Sequence, residues 1–188
     1  MQRLTRLCFI VLVVAVLFTF GCAAKRITTV TKPLTTKLSN YDCLQIEQFT
    51  YEQSFREKKI QDADDEMKAN KLREMFQKRV RDHIFLLDLF EEVVETECPY
   101  GVDNIVLLKG EITYMKRVTK AARILAGAMA GRSRVDVDIH LLDHQTDDVV
   151  GAASIKGTST GGWVGAGGTE EAFENAAQII ADFIKNSY

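Results

Sequence analysis

The sequence predicts an α+β domain, one mainly antiparallel sheet with two amphipathic helices on one face, in the order β-α-β-β-β-β-α. Three observations carry this. Val135, Val137, Ile139 and Leu141 alternate with Asp136, Asp138 and His140, the period of a strand with one buried face. Residues 72–84 and 172–184 instead repeat their apolar side chains every three to four positions, the period of a helix. Between these two helical stretches lie several β-branched runs separated by turn residues.

Taken in order, folded structure is expected to begin at Tyr41, where Leu44 and Ile46 alternate with polar residues up to Phe49 to make a first strand. Residues 50–64 are polar and charged and read as a loop with room for a helical turn. From Asp65 the period changes: Leu72, Met75, Phe76, Val80, His83 and Ile84 share a helix face, with acids early and Arg79 and Arg81 late, as the helix dipole favours. Leu89–Thr96 is expected as a second strand, ended by Cys98-Pro99-Tyr100-Gly101. Residues 105–118 form a third, with Val106, Leu108, Ile112 and Tyr114 on one face and Lys109, Glu111 and Thr113 on the other. The alternating run 135–141 is the fourth strand, and residues 149–158 return as the fifth after a turn at Gln145–Asp148. A glycine-rich stretch, GGWVGAGG at 161–168, precedes a last helix that Thr169 is expected to cap. Its apolar face is Ala172, Phe173, Ala176, Ile179, Ile180, Phe183 and Ile184.

The first 21 residues read as a signal peptide. Arg3 and Arg6 precede an apolar run from Leu7 to Phe20, which is shorter than the about 20 residues a membrane-spanning helix needs. Gly21-Cys22 then resembles the lipobox of bacterial lipoproteins, although Thr19 stands where that pattern usually has Leu. The resemblance implies acylation of Cys22 and a mature chain of 167 residues anchored in the membrane. Ala23 is not the Asp of an inner-membrane retention signal, so the expected location is the outer membrane, facing the periplasm. Residues 22–40 are expected to be the lipidated cysteine and a flexible tether: residues 25–40 hold five Thr, four basic side chains and no acid. Stretched out, such a tether reaches about 50 Å. Residues 41–188 are then a single domain.

That domain carries 18 basic and 26 acidic side chains, a net of −8, which gives no electrostatic footprint for nucleic acid. Cys43 and Cys98 remain after processing, in a compartment that permits a disulfide. Two separate thiols are the favoured reading and a Cys43–Cys98 bridge the alternative; two cysteines without nearby histidines do not make a zinc site.

The run RILAGAMAGRSRVDVDIHLLDHQTDDVV (123–150), followed by the glycine-rich stretch and an amphipathic last helix, resembles a domain-of-unknown-function family of bacterial envelope lipoproteins. The residues that carry the likeness are Arg123, Gly127, Gly131, Arg132, Val135, Val137, Asp143 and Thr146, with Asp147 where the pattern has Gly. The resemblance implies an α+β envelope protein and supplies no catalytic residues.

Each candidate site is weak as chemistry. The glycine-rich stretch lacks the G-x-G-x-x-G spacing, no Walker lysine follows, and Glu170 and Glu171 would repel an anion from the helix that begins there. Asp136, Asp138 and His140 share a strand face and could in principle bind a metal, but basic neighbours such as Lys109 and Lys156 fit an ordinary solvated sheet better. Ser133, Ser154 and Ser159 have no nucleophile-elbow context. No cofactor or metal is expected, and no enzyme. The least ordinary segment is 115–134, acid-free, with basic residues flanking ILAGAMAG. Ala122, Ala126 and Ala130, like Gly127 and Gly131, recur every fourth residue, the spacing of a smooth helix face. Packing inside the monomer explains the same pattern, and Trp163, the single tryptophan, reads first as a cover for the core. With Arg123, Arg132 and Trp163 these residues are otherwise the candidate interaction surface, for a second copy, an envelope partner or lipid. The expected function is a membrane-anchored assembly or scaffold module. The alternatives are a carrier binding a small or lipidic ligand on the open sheet face and, less favoured, a hydrolase.

Overall fold

Strict alternation along 134–143 sends every second side chain to the same side, and that strand is the spine on which the other elements assemble. The computed structural model describes residues 27–60, 63–118, 131–160 and 168–188. The strands are β1 (Ile27–Lys32), β2 (Cys43–Ile46), β3 (Thr50–Tyr51), β4 (Glu92–Val94), β5 (Ile105–Lys116), β6 (Arg134–Asp143) and β7 (Val149–Thr158). The helices are α1 (Gln53–Lys59), α2 (Ala63–Phe85) and α3 (Thr169–Ser187), with a 3-10 turn at Leu38–Asn40. Sheet order is β1-β7-β6-β5-β2-β4, and β3 pairs with β5 beyond the end of β2. The long strands β1, β7, β6 and β5 pair antiparallel, whereas the short β2, β3 and β4 join in parallel. The α+β class and the placement of both long helices against one sheet face are as expected.

Burial against the helices explains the pattern. Val135, Val137, Ile139 and Leu141 are all within 1% of full burial, and every residue expected on the apolar face of the last helix is buried. Phe76 of α2 lies 5.0 Å from the Phe49 ring and 5.1 Å from that of Phe173, tying helix, loop and last helix into one aromatic cluster. α3 sits close on β7 because Gly157 has no side chain; a Cβ there would overlap the Ala172 carbonyl oxygen. Gly168, not Thr169, occupies the N-cap of α3.

Four expectations are corrected. Residues 27–32, expected in the tether, form edge strand β1 against β7, with Ile27 opposite Lys156; a Thr-rich stretch without alternation gains its order from the partner strand. The second strand shrinks to Glu92–Val94. On β5 a bulge between Ile112 and Tyr114 inserts one residue, so Tyr114 turns to the open face, 43% exposed, and Met115 packs toward the core. Cys43 and Cys98 are joined in a disulfide across 55 residues rather than left as separate thiols. Cys43 sits fully buried in β2, and Cys98 reaches it from the chain after β4, which lies beside β2.

Candidate functional site

Three features could meet a ligand or partner: the open sheet face, the end of the sheet where β5 and β7 finish, and the sheet edges. On the open face the expected set assembles. Asp136 lies between Tyr114 and Lys156, Asp138 between Glu111 and Ser154, and His140 between Lys109 and Ala152. Asp136, Asp138 and Lys109 each have a partner. The Arg134 guanidinium bonds Asp136 at 2.6 Å and stacks over the Tyr114 ring at 5.2 Å. Its hydrogen bond to Asp136 outweighs its partial burial and makes its proton harder to lose. Ser154 donates to Asp138 at 2.5 Å, and Lys109 meets Glu47 at 3.1 Å. Among the described residues no three His, Cys, Asp or Glu side chains are grouped to hold a metal ion. The face is polar and charged, a poor bed for an apolar ligand.

At the end of the sheet, two serines act as staples. The Val118 N–H donates to Ser133 Oγ at 3.2 Å, and the Ser133 N–H donates to Ser159 Oγ at 3.0 Å. The Ser159 N–H returns a bond to the Ser133 carbonyl at 2.9 Å, so the ends of β5, β6 and β7 are locked together by buried hydroxyls. Beside them, α1, the start of α2 and the end of β5 enclose an open cleft of about 380 Å³. Its floor is apolar, with Phe55, Leu72 and Met115, and Lys59, Lys68, Lys116 and Arg117 stand around it with Asp65. Tyr51 pins α1 to α2 here: its ring stacks on Phe55 at 5.6 Å and its hydroxyl donates to the Ala69 carbonyl at 2.8 Å. Burial pushes the Tyr51 phenol up to about 12, although nearby Arg73 pulls the other way. Sequence reasoning missed this cleft, because the bulge that turns Met115 inward leaves no mark on alternation.

Of the sequence-predicted surface, Gly131 and Arg132 are described. Gly131 has φ +79°, a left-handed conformation that explains the glycine by backbone geometry. Arg132 is half-buried. Ala122, Arg123, Ala126, Gly127, Ala130, Trp163 and the lipidation candidate Cys22 lie outside the described residues. His83, on the helix face shared with Val80 and Ile84, bonds Glu174 at 2.7 Å. Burial opposes ionisation of Glu174, but Arg79 and His83 outweigh it and hold the carboxyl below its usual range. Among the described residues no helix is long and apolar enough to cross a membrane.

Fold and site together define a mixed-sheet α+β domain. The chain belongs to the family described as a domain of unknown function (DUF4410), whose model matches residues 38–162. No curated protein matches it. Among solved structures it is similar to the PelC dodecamer from Paraburkholderia phytofirmans in two crystal forms. The first has a TM-score of 0.54 and 13% identity, over 85% of this chain and 97% of that one. The second has a TM-score of 0.51 and 14% identity, over 84% and 97%. A Xanthomonas campestris protein, XCC0632 of family DUF330, follows at TM-score 0.44 and 10% identity, over 81% and 87%. At these identities the likeness is one of fold.

Proposed function

We propose that this chain is a lipid-anchored, non-catalytic assembly module of a bacterial cell envelope, working as a homo-oligomer held to the outer membrane through Cys22. The observation that carries the reading is the fold shared with PelC, which spans 97% of that chain and whose solved form is a dodecamer. The signal peptide and Gly21-Cys22 support the location, and so does the Cys43–Cys98 bridge, which belongs to an oxidising compartment. The paired charges of the open face count against the carrier alternative.

The contact between copies is assigned to the sheet edges. β1 exposes every side chain from Thr28 to Lys32, including Val30 at 51%, and its outer backbone edge has no neighbour among the described strands. The opposite edge, β4, begins with Glu92 and is flanked by Glu91, Glu95 and Glu97. Two different edges meeting head to tail make a contact that repeats around a ring.

Light scattering of the lipidated protein in detergent tests this. A defined oligomer is expected for the wild type and a folded monomer for Val30→Asp. A monomeric wild type refutes the oligomer. An oligomer that survives Val30→Asp but not Gly127→Leu moves the contact to residues 121–132.

A further inference from the structure

We propose that the end of the sheet where β1 begins and β5 and β7 finish rests on an anionic lipid surface, with Lys59, Lys116, Arg117 and Arg132 meeting the headgroups. The inference rests on the anchor at Cys22 proposed above.

The leash is short. Ile27 already pairs with Lys156, so only four residues, five steps of the chain, separate Cys22 from the folded domain. A fully extended chain spans at most about 3.6 Å per residue, so the acylated cysteine lies within about 18 Å of Ile27. The 50 Å reach expected of a free tether is gone. The end of the sheet that holds Ile27 is therefore the end that faces the bilayer.

The same end carries the chain's two acid-free connections. β5 leaves it at Lys116 and β6 returns at Arg134; between them the sequence has four basic residues and no acid. β7 leaves it at Thr158 and α3 starts at Thr169; residues 159–168 carry no charge. Most acids at this end are already engaged. Asp64 pairs with Lys68, Glu66 with Arg56 at 2.8 Å, and Asp136 with Arg134. Glu171 accepts bonds from the Thr160 backbone and hydroxyl at 3.0 and 2.7 Å. Asp65 in the cleft is engaged as well, Glu57 on α1 accepts from Gln53 at 2.9 Å, and Glu170 on α3 is exposed. Among the described residues no carboxylate bonds Lys59, Lys116, Arg117 or Arg132.

The opposite end has the opposite sign. Residues 86–104 hold six acids and no Lys or Arg, and the 143–148 turn holds three more. The twelve residues of β5 separate the two ends by about 40 Å. Screening falls off over about 8 Å at physiological ionic strength, so the distant acids neither cancel nor mask the cations near the membrane. A domain of net −8 is thus oriented by its charge distribution rather than repelled by its total.

The test uses the lipidated protein in vesicles and a membrane-impermeant amine reagent, read by mass spectrometry. In phosphatidylglycerol-containing vesicles, labelling of Lys59 and Lys116 should fall about five-fold relative to Lys185, which is exposed in the last turn of α3. Phosphatidylcholine vesicles or high salt should restore it, and so should the double variant Arg117→Gln, Arg132→Gln if it keeps the wild-type thermal midpoint. Equal labelling in both lipids refutes the proposed face while leaving the anchor intact. An unmodified Cys22 peptide refutes the anchor, and the inference with it.

Discussion

Removing the Cys43–Cys98 bridge is the sharpest perturbation of this fold. The bridge closes a loop across 55 residues that contains α1, α2, β3 and β4. The entropy of closing a loop of that length corresponds to about 4 kcal/mol of native stability, a large part of the roughly 5–15 kcal/mol that holds a domain together. Cys43 is fully buried in β2, where a serine would add an orphaned hydroxyl, so the cleaner change is at half-buried Cys98. With a urea slope of about 2 kcal/mol per molar, Cys98→Ser should lower the unfolding midpoint by about 2 M. Reduction of the wild type should do the same. Far-UV circular dichroism against urea measures both, and thiol titration of the unfolded, unreduced protein counts free cysteines. Two titratable thiols at positions 43 and 98, or a midpoint unmoved by reduction, would refute the reasoning.

Three further outcomes are expected. Gly157→Ala should destabilise by about 2–3 kcal/mol in the same urea assay, because the new methyl meets the Ala172 backbone rather than a side chain that can swing away. Tyr41 and Tyr51 should titrate near pH 12. Burial raises both phenols, and for Tyr41 the hydrogen bond to Asp143 and its charge add to the effect. The unfolded chain releases these protons near pH 10, so the stability they lend is complete below 10 and is lost between 10 and 12; absorbance at 295 nm and melting across that range measure it. Asp143 is held below the usual carboxylate range by the Thr146 backbone first, then by Tyr41, with burial opposing and the Gln145 backbone adding. Its contribution is present above the unfolded value of about 4 and fades as pH falls through the lower folded one, so Asp143→Ala should flatten the acid limb of the melting curve.

Periodicity made the two long helices and the three long antiparallel strands legible, because each buries one face against the same core. It also placed Lys109 and Lys156 beside Asp136–His140, since cross-strand neighbours follow from the hairpin. What it could not give depends on partners distant in sequence. β1 has no alternation of its own and is ordered by β7 more than 100 residues away. The parallel pairing of β2 with β5 and β4 sets Cys43 near Cys98, and without that neighbour relation two cysteines 55 residues apart leave the bridge as the lesser of two readings. The β5 bulge reversed Tyr114 because one inserted residue flips every later side chain. Gly131 looked like part of a small-residue face, and its positive φ gives the position a different reason. Asp147 takes a left-handed φ of +57° where the family pattern has glycine, a conformation Asp tolerates better than most residues.

The short leash also limits the symmetry of any oligomer. In a dihedral assembly, two-fold axes would turn half the protomers over, carrying their Ile27 ends to the far side. A domain about 40 Å long along its strands cannot be circumvented by a leash of about 18 Å, so those inverted copies could not insert their acyl chains in the same bilayer. A cyclic ring keeps every Ile27 end on one side, and every basic end with it. Anchoring in two dimensions then raises the effective concentration of protomers already in the correct orientation. The expected oligomer of the lipidated chain is therefore a single ring with its axis along the membrane normal. Electron microscopy of the protein in nanodiscs measures this directly. Back-to-back rings, or particles with acyl-binding density on both faces, would show that the chain leaves β1 by a longer path than the four residues before Ile27 allow, and would overturn the placement of the anchor at Cys22.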